Sequence, residues 1–125
     1  MTRLSTSRAA RLILSFLVIA AISPAEQKRT SSDLFQYRCS GCHAADQDRV
    51  GPRLRGVFGR TAGAIHTFQY SEALKSSHLV WDAATLDKWL QDPDTVVPDS
   101  DMSFRLESQA ERTAIIEYLK GLTAR

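Results

Sequence analysis

The chain has 125 residues, which allows one domain and little else. Hydrophobic residues make up 43% and aromatics 8%, an ordinary globular content that excludes a disordered, collagen-like or low-complexity chain. The formal charge of +2 rests on Arg3, Arg8 and Arg11 in an acid-free leader; without it 13 basic residues face 14 acidic ones, a charge of −1, and nucleic-acid binding loses its electrostatic basis.

Residues 1–25 have the three parts of an export signal. The arginines form a basic start, Leu12 to Ile22 form an apolar run of 11 residues broken only by Ser15, and Ser23-Pro24-Ala25 supplies small residues for cleavage. Cleavage is expected after Ala25, leaving one domain over 26–125. An uncleaved membrane anchor is the alternative, but the apolar run falls short of the roughly 17 to 25 residues that span a bilayer. Either outcome exports the domain, so a periplasmic or similarly oxidising compartment is expected.

Glu26 to Ser31 are polar and expected to be loose. A short helix is predicted from Ser32, as its cap, to Ser40, with Leu34 and Phe35 facing inward. From His43 to Thr67 no helical period survives, and Gly51, Pro52, Gly56, Gly59 and Gly63 mark an extended, turn-rich segment. A short helical piece is expected at Glu72 to Lys75. Asp82 then reads as the cap of a helix with Leu86, Trp89 and Leu90 on one face, stopped by Pro93. Residues 92–103 read as a loop. Ser108-Gln109-Ala110-Glu111 is a capping-box sequence that opens a C-terminal amphipathic helix running toward Gly121. No strand alternation or repeat is present, so the fold class is all-α, three to five short helices and long loops. Such loops lose conformational entropy while making few contacts of their own, and a large apolar cofactor would fill the middle.

The two cysteines stand in Cys39-Ser40-Gly41-Cys42-His43, the C-x-x-C-H attachment sequence of haem c. Residues three apart share a helical face, so Cys39 and Cys42 can form thioethers along one edge of the porphyrin, and His43 follows beneath the iron. A disulfide or redox-active dithiol is the bland alternative, but that motif belongs among alternating strands and helices. A zinc site would need further ligands, and His66 and His78 stand in no zinc-binding spacing. For the second axial position the options are Met102, in a proline-bounded polar loop, and the histidines His66 and His78, with Met102 first and His78 next. Methionine is often mere core filler, yet Asp101 and Ser103 on either side give a buried thioether little other reason to be here.

These residues, with Phe35, Gly51-Pro52-x-Leu54-x-Gly56-x-Phe58-Gly59-Arg60, Phe68-x-Tyr70-Ser71, Trp81, Leu90-x-x-Pro93, Pro98-x-x-x-Met102-x-Phe104 and Tyr118-Leu119, give the chain a sequence that resembles the class I cytochromes c, the mitochondrial protein and its bacterial relatives. The resemblance covers Phe35 to Leu122. It implies the cytochrome c fold wrapped around one covalently bound haem c, iron ligation by His43 and Met102, and electron transport rather than enzymatic turnover. It further implies that the Pro52 carbonyl orients His43, that Tyr70 and Trp81 hydrogen-bond a haem propionate near Arg60, that Phe35 and Tyr118 pack where the terminal helices cross, and that Phe104 covers the haem edge.

Two departures stand out. Leu74 and Trp89 replace an Asn and a Tyr common in the mitochondrial proteins, while Ser100 keeps a hydroxyl where Thr is usual. The expectation is a drier methionine pocket, with two polar groups lost around the sulfur and a shifted potential. Residues 82–101 also carry six acids against Lys88 alone, where the relatives carry lysines, so a basic or weakly charged redox partner is expected. The leading function is a periplasmic one-electron carrier that docks transiently with dehydrogenases, cytochrome complexes or oxidases of a respiratory chain. The alternatives are a haem enzyme or gas- or peroxide-reactive sensor with an open sixth position, and a tightly bound electron-transfer subunit of a dehydrogenase.

Overall fold

The computed structural model describes residues 30–123. The predicted export signal, its cleavage point and the polar residues up to Arg29 lie outside these described residues. Five helices follow in order: α1 (Ser31–Arg38), α2 (Glu72–Ser76), α3 (Ala83–Gln91), α4 (Pro93–Val96) and α5 (Gln109–Gly121). Among the described residues the only extended pairing is one antiparallel bridge between Thr61 and Val80, and no helix is long and apolar enough to cross a membrane.

Each start has a local cause. α1 begins earlier than the sequence suggests because Thr30, not Ser32, is the cap: its hydroxyl accepts from the Asp33 N–H at 3.1 Å, and the Asp33 carboxylate accepts from the Thr30 N–H at 3.1 Å. Ser32 has Phe35 three positions on, which cannot reciprocate. Ser71 caps α2 through the Leu74 N–H, and Asp82 caps α3 through the Thr85 N–H at 2.7 Å. The 92–103 segment is not all loop. Asp92 ends α3 and at once caps α4, accepting from the Asp94 N–H at 3.2 Å, while Pro93 takes the first helical position, where its missing N–H costs nothing. Ser108 accepts from the Glu111 N–H at 3.3 Å, but the Glu111 carboxylate turns away to α1.

The helices meet through α5, which packs on α1 and α3. Phe35 and Tyr118 stack at 4.7 Å between ring centroids where α1 meets α5, and Ile115 beneath them is 1% exposed. Arg38 closes the same contact from outside, donating to both carboxylate oxygens of Glu111 at 3.0 and 3.1 Å. On the far side Arg112, buried despite its charge, donates to the carbonyls of Leu106 and Glu107 and to Asp87 on α3. That one guanidinium ties α5 to α3 and to the segment that brings the chain back from α4.

The turn-rich 43–70 segment stays folded by reaching outward for partners. Gly56 adopts φ 68° and donates its N–H to the Leu122 carbonyl at 2.6 Å, which anchors the loop to the end of α5. Gly63 adopts φ 72° with Lys75 packed against it, a backbone shape that favours glycine. Val57, Ala62 and Ile65 are buried from this segment.

Candidate haem site

The attachment motif continues the turn of α1. The Cys39 and Ser40 N–H groups donate to the Phe35 carbonyl, and the Cys42 and His43 N–H groups donate to the Cys39 carbonyl at 3.1 and 2.9 Å. This tight turn sets Cys39 and Cys42 on the wall of one cavity and delivers His43 beside them. Arg49 donates to the Ser40 carbonyl and the Gly51 N–H to the Cys42 carbonyl, so the 44–50 loop is pinned back on the motif. Both cysteines are free, and burial pushes the Cys39 thiol up to about 11.

His43 Nδ1 lies 2.8 Å from the Pro52 carbonyl oxygen. A carbonyl only accepts, so Nδ1 carries the proton and the Nε2 lone pair is left for a metal. Burial lowers the imidazole pKa and outweighs the opposing Pro52 hydrogen bond, so burial favours the neutral form a ligand requires. Gly51 is the other half of this cradle. A Cβ built there would stand 2.2 Å from His43 Cε1.

The cavity has a volume of about 390 Å³. All ten residues singled out in the sequence line it: Cys39, Cys42, His43, Pro52, Arg60, Tyr70, Trp81, Trp89, Met102 and Phe104. His66 and His78 do not, and both are exposed. Of the candidates for the second axial position, only Met102 lines the cavity. Phe104, 39% exposed, and Val50, 78% exposed, form an apolar rim at the mouth. The sequence reading passed over Val50, Leu54, Ile115 and Leu119 as cavity walls, because each looks like ordinary core or surface until the loops are folded.

The polar groups on this wall are matched to a ligand carrying acids. Arg60 donates to the carbonyls of Arg53 and Arg55 at 3.0 and 3.1 Å, yet makes no ion pair among the described residues. Burial lowers its pKa, opposed by Tyr70 and more weakly by Asp48, so the guanidinium sits half-buried with no carboxylate in direct contact among the described residues. Ser100 Oγ, outside the cavity lining, is buried with no hydrogen-bond partner. An apolar chamber with an oriented imidazole, a thioether, two thiols and a half-buried cation that contacts no carboxylate fits haem c and its propionates.

Two expectations are corrected here. Trp89 is not a lost polar group: its indole N–H donates to Met102 Sδ at 3.1 Å. Three of the six acids of residues 82–101 are also ion-paired, by two arginines. Arg105 pairs with Asp92 and Asp94 at 2.9 and 2.8 Å, Arg112 pairs with Asp87 at 2.8 Å, and Asp82 is spent on its helix cap. Both arginines lie outside the 82–101 window and are brought to it by the fold. Asp99 and Asp101 remain without an ion pair among the described residues, and Asp101 lies at the cavity wall.

The Cytochrome c family model matches residues 30–123. Cytochrome c2 iso-2 of Magnetospirillum molischianum is 46% identical over 87 residues, 67% of this chain and 90% of the relative. Cytochrome c of Euglena viridis is 37% identical over 92 residues, 71% of this chain and 90% of the relative. The solved structure of cytochrome cH from Methylobacterium extorquens superposes with a TM-score of 0.69 at 39% identity, covering 73% of this chain and 94% of that one.

Proposed function

The chain belongs to the cytochrome c family, haem c electron carriers rather than enzymes, and on that premise we propose that it is an exported, periplasmic one-electron carrier with His43 and Met102 as axial ligands. When bound, the haem supplies a reversible one-electron change at its iron. Cys39 and Cys42 hold it through thioethers, and the turn that continues α1 fixes their spacing. His43 presents Nε2 because Pro52 holds the proton on Nδ1 at 2.8 Å. Arg60 supplies charge for the propionates, with Tyr70 and Trp81 as donors on the same cavity wall. Leu54, Leu74, Leu86 and Ile115 exclude water from the remaining wall.

The observation that carries the reading is the convergence of a neutral, oriented imidazole and a single thioether on one apolar cavity that also holds both thiols. His43 and Met102 would together hold the iron and leave small molecules no open position on it. The partner meets the rim formed by Phe104 and Val50, with Asp99 and Asp101 offering a modest negative charge to a basic or weakly charged surface, so the complexes are brief. Export rests on the leader read in residues 1–25.

The test is expression of the full precursor in a bacterium with active c-type haem maturation. The periplasmic fraction should contain a chain starting at Glu26 with covalent haem and the weak long-wavelength ferric band of a methionine–iron bond. Met102→Ala should lose that band and bind carbon monoxide in the ferrous state. Covalent haem whose wild-type spectrum lacks the band would overturn the ligand assignment.

A further inference from the structure

Resting on the reading of Met102 as axial ligand, we propose that Arg105 is the positioning residue of the segment that carries it: its ion pairs with Asp92 and Asp94 clasp the two ends of residues 97–105 together and set how often Met102 leaves the iron. The segment is a closed excursion of the chain. It departs from α4 at Val97 and returns to α3 at Leu106, whose N–H donates to the Leu90 carbonyl at 2.7 Å.

Between those ends little holds it. Pro98, Asp99, Asp101, Ser103 and Phe104 are exposed, and Asp99 stands at φ 65°, a backbone shape uncommon for a residue with a side chain. Among the described residues, the one backbone bond within 98–104 runs from the Ser100 N–H to the Val97 carbonyl at 3.3 Å, and the Trp89 N–H on Met102 Sδ is the other hold. A segment with so few ties of its own opens locally rather than with the whole fold, and its ends decide the free energy of opening.

The ends carry ties of unequal kind. Leu106 is 3% exposed, so its bond to Leu90 is shielded, and the buried Arg112 donates to the Leu106 and Glu107 carbonyls. These two ties belong to the core. Arg105 is the outer one. Its Nε and one terminal nitrogen donate to Asp92 at 3.0 and 2.9 Å, and the same nitrogen reaches Asp94 at 2.8 Å. The two carboxylates flank Pro93 where α3 passes into α4, so one guanidinium at the returning end grips two acids fixed at the departing end.

The Arg105 side chain is 47% exposed. A pair that open to water is worth at most about fivefold in an equilibrium, and dissolved salt screens it. Ionic strength therefore reaches the iron through this clasp. In dilute solution the segment stays shut over Met102, and screening raises the share of molecules in which it has opened.

The experiment follows imidazole binding to the ferric holoprotein by stopped flow, at a pH above the pKa of free imidazole so that the probe is uncharged. Imidazole takes the position that Met102 holds, so with fast reclosure its rate scales with the open population. At low salt Arg105→Gln should bind about two- to tenfold faster than wild type, two exposed pairs being lost, while keeping the ferric methionine band of the closed form. Asp94→Asn should give a smaller acceleration, and adding it to Arg105→Gln no further one. Added salt should speed the wild type toward the Arg105→Gln rate and leave Arg105→Gln nearly unchanged, a response that general loss of packing does not give. A wild-type rate in Arg105→Gln, or equal salt dependence in the two proteins, would overturn the proposal. Should Arg105→Gln fail to mature, Asp94→Asn decides: a salt dependence weaker than that of wild type supports the clasp, and an identical one overturns it. A wild type that lacks the methionine band would instead strike the ligand assignment itself.

Discussion

Gly51 has no room for a side chain. With a Cβ 2.2 Å from His43 Cε1, Gly51→Ala must push the imidazole off the geometry that Pro52 sets. The expected outcome is sharply reduced holoprotein yield and a displaced or lost His–iron bond, read by visible spectra and by yield relative to wild type. This residue was legible in the sequence as punctuation in a turn-rich stretch and as part of the Gly51-Pro52 motif, but its contact with the His43 ring was not. The attachment motif was legible outright, because two cysteines and a histidine at fixed spacing have one common chemistry. The polar role of Trp89 was not legible, since only folded geometry shows that an indole N–H comes within 3.1 Å of a sulfur thirteen positions on. Counting polar residue types around the methionine treated the phenol-to-indole change as a loss, when the donor is kept and only the acceptor disappears.

At the scale of elements, α5 carries most of the architecture. Ile115 is 1% exposed between α1 and the cavity, so Ile115→Ala should cost about 2 to 5 kcal/mol in denaturant unfolding of the holoprotein. A cost below 1 kcal/mol would mean that the terminal helices can collapse around the gap. The half-exposed Arg38–Glu111 pair beside it contributes far less, up to about 1 kcal/mol even with its paired geometry. Helices α3 and α5 were readable because their apolar residues repeat at helical spacing behind a recognisable cap. The short α4 was not, because proline is read as a helix breaker when it follows a helix, yet at the first position it begins one. The start of α1 was missed for a similar reason: two of the three candidate hydroxyls in Thr30-Ser31-Ser32 lack the acidic residue three positions on that completes the box, and only Thr30 has it.

For the whole molecule, the cofactor is part of the core. A cavity of about 390 Å³ left unfilled would cost on the order of 10 kcal/mol by the scaling for engineered cavities, as much as the entire stability of a typical domain. The double variant Cys39→Ser/Cys42→Ser, which cannot retain haem covalently, should therefore keep some far-ultraviolet helical signal but show no cooperative thermal transition. A sharp transition without haem would show that the loops carry more stability than assigned here. Charge also changes meaning at this scale. Of the six acids read along residues 82–101, Asp87, Asp92 and Asp94 are ion-paired once Arg105 and Arg112 arrive, so two cations cancel part of the acidic charge and Asp82, Asp99 and Asp101 keep theirs. The second-order rate with a basic redox partner should accordingly fall by less than about tenfold between low and physiological salt, well short of the range for strongly steered pairs. Stopped-flow kinetics across ionic strength would check this, and a rate that rose with salt would reverse the charge assignment.

The pairing of the first helix with the last has a consequence in time. Synthesis proceeds from the N-terminus, so the attachment motif at residues 39–43 appears long before Ile115 and Leu119, which form part of the chamber wall, and before Leu122, whose carbonyl anchors Gly56. Until those final residues emerge, one side of the nascent chamber stays open and both thiols remain reachable by whatever joins the porphyrin to them. Arrival of the C-terminal helix then acts as the closing step of assembly, so a chain truncated before α5 should accept the cofactor yet fail to retain a sealed pocket around it.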